Sequence, residues 1–202
     1  MLAGMSRPTL RARPLVILLT GLPSSGKTTL GGALRDRLQG KTRCQLLDGD
    51  ELRARLPPAL GFAPEDRRHQ GQRALYLAEL LLRHDVTVIV ALIAPLAETR
   101  DSFRETFGDQ YVEVFLDAPR EVRAQRDTRG VYALARARGD DAYESVEGIY
   151  ERPATPDLTI DTAGRSPQDA LDALLSVVRL QSGLAVRTVG GAVFLPARPL
   201  EE

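Results

Sequence analysis

Cysteine is almost missing from this chain: Cys44 is the only one in 202 residues. That excludes an internal disulfide and any thiolate metal cage. The surrounding Arg43-Cys44-Gln45-Leu46-Leu47 reads as a strand entering the core, so the thiol is expected to be buried and inert. Histidine is scarce as well. His69 and His84 stand apart from each other and from Cys44, which argues against a metal site and places both at the surface. Charge of one sign is not in excess: 27 basic and 27 acidic residues cancel, so nothing global directs the chain to nucleic acid or an anionic membrane. The longest apolar runs are strand-sized, too short to span a bilayer. No repeat or low-complexity segment is present.

What is there begins with Gly21-Leu22-Pro23-Ser24-Ser25-Gly26-Lys27-Thr28-Thr29, a match to G-x-x-x-x-G-K-[ST]. The apolar run Leu15–Leu19 precedes it, and Leu30–Leu38 follows with helical spacing. Strand, glycine-rich loop and helix together make a phosphate cradle, because loop and helix N–H groups converge on polyphosphate oxygens. In that setting Lys27 neutralises the outer phosphates and the Thr28 hydroxyl ligates Mg²⁺. A plain glycine turn accounts for Gly21 and Gly26 but gives no reason for lysine followed by threonine. The motif therefore predicts binding of ATP or a similar nucleoside triphosphate.

Apolar runs alternate with helical patterns along the chain, which predicts βαβ units and a parallel sheet. Strands are expected at 15–20, 44–47, 86–93, 112–116 and 158–160, their Val/Ile/Leu richness suiting coverage on both faces. Helices are expected at 27–38, 64–83, 97–106, 119–126, 131–136 and 166–180. The fold class is α/β: a P-loop NTPase fold with a five-stranded parallel sheet, helices on both faces and a C-terminal hairpin. Residues 1–13 read as a loose leader, 14–182 as the kinase-sized domain, and 183–202 as an extension whose 185–196 stretch turns at Gly190-Gly191. The arginine-bearing leader runs straight into the phosphate loop, so it is not read as a cleavable signal and the expected location is cytoplasmic. The polar 137–153 segment suits either a lid over a nucleotide site or an inert connection.

The second strand runs into Asp48-Gly49-Asp50-Glu51. Chemistry in parallel sheets gathers at the carboxyl ends of strands, the edge from which the phosphate loop also leaves. One of Asp48 and Asp50 is expected to orient or deprotonate an acceptor hydroxyl and the other to hold a metal-bound water, with Asp50 also serving as N-cap of a helix from Glu51. The third apolar run ends Ala91-Leu92-Ile93-Ala94-Pro95 with no carboxylate, and no Asn-Lys-x-Asp string occurs. Both absences argue against a motor or GTPase switch and favour a small-molecule kinase. Arg126 and Arg129 either converge on phosphates or form a solvated face. Arg53 and Arg67 are ordinary helix surface in isolation and gain interest beside Asp50. Phe62 either staples the following helix or offers a stacking surface.

With these pieces placed, residues 14–181 resemble the adenylyl-sulfate (APS) kinase family. The resemblance rests on GLPSSGKTT (21–29), LDGDELR (47–53), GFAPEDR (61–67), VIVALIAP (88–95), VEVFLDAP (112–119), QRDTRGVYALARA (125–137), Tyr150-Glu151 and Pro156-Asp157-Leu158. It implies an ATP- and Mg²⁺-dependent kinase, usually a homodimer, that phosphorylates the 3′-hydroxyl of adenylyl sulfate to give PAPS. On that pattern Asp48 and Asp50 serve acceptor and metal, Arg53 and Arg67 the phosphosulfate, and Phe62 the substrate adenine. Arg126 and Arg129 match a basic pair near ATP, while Gln70, Ile93, Ala94 and Tyr143 fall on the acceptor side.

The departures are on that same side. Gln70 stands for the usual asparagine, Gln72 for an arginine, Ala94 for a serine, and Ala133 and Leu134 for two basic residues. Around Tyr143 the usual Lys, Thr and Gly of the lid are replaced. The leading expectation is transfer of the ATP γ-phosphate to adenylyl sulfate. The alternatives are a different hydroxyl acceptor, such as a specialised metabolite, and a nucleotide-binding regulator without turnover.

Overall fold

The computed structural model describes residues 12–127 and 147–183. Five parallel strands form one sheet in the order β2-β3-β1-β4-β5: β1 (Val16–Thr20), β2 (Cys44–Asp48), β3 (Thr87–Ala91), β4 (Tyr111–Asp117) and β5 (Leu158–Asp161). The helices are α1 (Lys27–Leu38), α2 (Gly49–Arg55), α3 (Pro64–Leu82), α4 (Ala97–Phe107), α5 (Arg120–Gln125) and α6 (Pro167–Ser182), with a 3-10 turn at Gly108–Gln110.

Both faces of the sheet are covered at its centre, which is why β1 and β3 lack polar alternation. In β1, Ile17 and Leu19 pack with Leu34, Leu174 and Val178 of α1 and α6. Val16 and Leu18 pack on the other face with Ala74, Ala78 and Phe103 of α3 and α4. The central place of β1, between β3 and β4, brings the loops after β1, β2 and β3 to one edge of the sheet.

At the two outer strands, coverage on both faces fails. Only Leu47 is buried in β2 and only Ile160 in β5, because each has a neighbour on one side alone. Cys44 is accordingly half-buried rather than buried, and the partial burial that remains pushes its thiol pKa upward. His69 and His84 are both exposed.

Three further expectations need correction. The N-cap of α2 is Asp48, not Asp50: its carboxylate accepts from the backbone N–H of Asp50 at 2.9 Å and of Glu51 at 3.4 Å. The helix starts two residues before Glu51, so the cap moves back with it. Phe62 does not staple α3, since its ring is 60% exposed. Arg67 is not helix surface but is 7% exposed in the cavity wall.

The helix α6 opens as expected, with Ser166 accepting from Asp169 N at 3.1 Å and Pro167 at the first helical position. Arg13, placed in the leader by its sequence, is tied down: its N–H donates to Ser182 O at 3.0 Å and its guanidinium reaches Asp109 at 2.7 Å. The expected 131–136 helix, the 185–196 hairpin and the first eleven residues lie outside the described residues.

Candidate active site

The loop after β1 is built for an anion. Gly26 caps α1 with φ 99° and, as a glycine, offers the helix no side-chain cap. The first turn carries no acidic residue, so the positive end of the helix dipole is left to a ligand. Gly21 is required sterically. At φ 148° a Cβ there would stand 2.5 Å from the Leu116 carbonyl oxygen. The Lys27 ammonium folds back onto the loop, donating to the carbonyls of Gly21 at 2.7 Å and Leu22 at 2.8 Å. A phosphate entering the loop offers it a stronger, charged acceptor.

Beside the lysine, the Thr28 hydroxyl donates to Asp48 Oδ2 at 2.6 Å. This pair of hard oxygen groups, next to where phosphates would lie, fits Mg²⁺, which takes one or two protein oxygens plus phosphate and water. No cluster of three His, Cys, Asp or Glu suited to a metal occurs among the described residues.

A cavity of about 570 Å³ opens from this loop. Its donor end is lined by Pro23, Ser24, Gly26, Lys27, Thr28 and Thr29, with Arg126 and Asp127 at the rim. Its far end is lined by Asp48, Asp50, Arg53, Phe62, Arg67 and Gln70, closed by residues 91–95 at the end of β3 and just beyond it. Sequence-distant candidates thus meet in one space. Leu22 and Ser25 support the loop from behind: Ser25 is buried, and its N–H donates to Leu22 O at 3.2 Å. Arg129 and Tyr143 lie outside the described residues.

Positive charge concentrates at the far end. The Arg53 guanidinium sits 4.8 Å from the Phe62 ring centre and donates to Leu60 O at 3.0 Å. Arg67 donates to Phe62 O at 2.9 Å, with its guanidinium 5.8 Å from the same ring. Burial first, and then the like charge of Arg53, lower the Arg67 pKa. Arg53 is lowered as well, chiefly by burial, although Asp50 and Asp66 act the other way. Gln70, 1% exposed, donates its amide to Gly49 O at 2.9 Å, while its Oε1 receives no hydrogen bond.

Two contributors escaped the sequence reading. Thr162, directly after β5, accepts from Arg126 through its hydroxyl at 3.1 Å and its carbonyl at 2.7 Å. The rule that ligands gather at strand carboxyl ends points to it. Thr20, the last residue of β1, donates to Ile93 O at 2.6 Å and so receives the Tyr150 hydroxyl at 3.0 Å. A buried threonine at the end of an apolar strand carries no such signal.

A parallel sheet whose first loop is a phosphate cradle and whose second strand delivers carboxylates to the adjoining cavity defines a P-loop phosphotransferase. The family model described as Adenylylsulphate kinase matches residues 13–161. An adenylyl-sulfate kinase of Pseudomonas aeruginosa is 40% identical over 168 residues, covering 82% of this chain and 86% of that protein. One from Deinococcus deserti is 41% identical over 163 residues, covering 79% and 88%. Among solved structures, the Mycobacterium tuberculosis APS kinase in complex with AMPPNP and APS superposes with a TM-score of 0.76 at 32% identity, covering 83% of this chain and 99% of that one. This chain belongs to the adenylyl-sulfate kinase family. Its fold is also shared with a Sinorhizobium meliloti gluconokinase, at a TM-score of 0.62 and 19% identity.

Proposed function

We propose that this enzyme transfers the γ-phosphate of ATP to the 3′-hydroxyl of adenylyl sulfate, giving PAPS and ADP. The observation that carries the acceptor is Arg67, a nearly buried guanidinium beside a second arginine, with Phe62 exposed between them. Burying like charges together is costly in the free protein and suits an acceptor that is anionic and carries a ring. Adenylyl sulfate offers both.

The amides of the phosphate loop and of the α1 N-terminus hold the β- and γ-phosphates. Lys27 leaves the Gly21 and Leu22 carbonyls to neutralise them. Thr28 and Asp48 would hold Mg²⁺, which when bound neutralises charge between the β- and γ-phosphates. Asp50 orients the acceptor hydroxyl and takes its proton as the new O–P bond forms and the bond to ADP breaks. Arg53 and Arg67 grip the phosphosulfate, and Phe62 stacks on the adenine. Gln70, Ile93 and Ala94 shape the acceptor wall, while Arg126, with Arg129, serves the nucleotide. Positioning and charge neutralisation account for most of the rate in such reactions. The proposed assembly is a homodimer acting in the cytoplasm; light scattering in solution should give twice the monomer mass, and a monomer mass would contradict the assembly. Among the described residues no helix is long and apolar enough to cross a membrane.

The test is an acceptor panel with ATP and Mg²⁺, following ADP release. Adenylyl sulfate should exceed gluconate, shikimate and free adenosine 5′-phosphate by at least about 100-fold in kcat/KM, the worth of one or two charged contacts. A neutral alcohol matching adenylyl sulfate would overturn the assignment.

A further inference from the structure

Arg100 of α4 is 4% exposed and does not line the cavity, yet it bonds the cavity's wall. Its Nη1 donates to the carbonyls of Ala94 at 2.7 Å and Pro95 at 3.3 Å. Its Nη2 donates to the carbonyl of Glu151 at 2.7 Å. Its Nε lies 3.1 Å from Oε1 of the buried Glu113 in β4, which balances the charge. One guanidinium thereby joins the loop after β3, the stretch around Glu151 and the interior of the sheet.

The two stretches it joins also bond each other. The Glu151 N–H donates to Pro95 O at 2.8 Å, and the Glu151 carboxylate accepts from Ala97 N at the start of α4. Ala94 holds φ 43°, a conformation that side-chain-bearing residues rarely adopt and that persists only when surrounding contacts impose it. Arg100 bonds the Ala94 carbonyl directly, and Glu151 bonds Pro95 and Ala97 on the C-terminal side of Ala94.

We propose that Arg100 is a positioning residue for the acceptor: its fork and the Glu151 clasp fix the Ile93–Pro95 wall in the shape that receives the substrate. This rests on the acceptor site described under the proposed function, and on none of the contacts to ATP. A planar fork with donors on three nitrogens suits the task, whereas a lysine ammonium carries the charge but cannot reach three separated carbonyls and a carboxylate together.

The test uses the full chain with Arg100→Lys, which keeps a cation beside Glu113, and Glu151→Ala, a surface change that removes the side-chain arm of the clasp, the carboxylate's bond to Ala97 N, without touching the buried pair. Arg100→Lys should raise the KM for adenylyl sulfate at least tenfold and Glu151→Ala at least threefold, with the KM for ATP within twofold of wild type. Loss of folded enzyme alone would lower kcat and leave both KM values unchanged. Amide exchange at position 151, which reports its bond to Pro95 whatever the acceptor, should quicken at least fivefold in each variant. The inference is overturned if the acceptor KM stays within twofold of wild type, or if exchange at position 151 is unaltered. Should Arg100→Lys not fold, Glu151→Ala alone decides. Should the wild type not turn over adenylyl sulfate, the functional reading fails on its own account and amide exchange decides this one.

Discussion

Arg67 brings its charge into the cavity wall beside Arg53, a neighbour of the same sign. A residue arranged for a ligand should cost stability in the ligand's absence. Arg67→Met keeps much of the volume and removes the buried charge, so the melting temperature should hold or rise while the acceptor KM increases roughly 10- to 150-fold, the equivalent of about 1.5–3 kcal/mol. A fall of several degrees with unchanged KM would show that the arginine is structural. Lys27→Ala and Asp50→Ala should each lower kcat by about 100-fold or more, the usual cost of removing a group that meets charge in the transition state. Circular dichroism should be unaltered in both. Retained turnover in Asp50→Ala would remove its assigned role.

At the scale of elements, α2 and α3 carry Asp50, Arg53, Arg67 and Gln70, the residues proposed to meet the acceptor. Asp48 caps α2 through one carboxylate oxygen and holds Thr28 through the other, so Asp48→Ala should cost about 1 kcal/mol in stability as well as activity. Ser166→Ala, a comparable cap that does not line the cavity, should cost a similar amount and leave the kinetics alone. Gly71 lets α3 approach α4 closely: a Cβ there would sit 2.5 Å from Cγ2 of Thr99. Gly71→Ala should therefore destabilise by about 1–3 kcal/mol, visible as a lower denaturation midpoint. The phosphate loop, its flanking strand and helix, and the carboxylates after β2 were legible in the sequence because each is a contiguous string with one structural use. The N-cap of α2 was not, because Asp48 and Asp50 are both good caps and only the true start of the helix separates them. Half-burial of Cys44 was hidden too, since the outer place of β2 follows from strand order rather than local composition.

For the molecule as a whole, the strand order turns separate loops into one site, and long-range polar contacts hold them there. Arg100 and Glu113 belong to different elements and read as ordinary helix and strand residues, so their buried pairing is a property of the fold alone. Tyr150 joins the same network through Thr20, and burial pushes its pKa up to about 12. A hydroxyl whose folded pKa exceeds its unfolded value of about 10 stabilises fully below that value and loses its contribution as pH rises towards 12. Tyr111, raised further by burial and by Glu113, acts in the same direction. Stability should thus decline above about pH 10, and Tyr150→Phe should decline less steeply than wild type in alkaline denaturation curves.

Family membership, the buried Arg67 beside Arg53 and the exposed aromatic ring converge on one acceptor, despite the changes at Gln70, Gln72 and Ala94. The direct measurement is turnover of adenylyl sulfate with ATP and Mg²⁺, the product followed by mass and the phosphorylated hydroxyl located by fragmentation. PAPS carrying its new phosphate at the 3′ position, formed catalytically and abolished in Asp50→Ala, is the predicted result. ATP binding with no PAPS, or phosphate on any other position, would contradict the account.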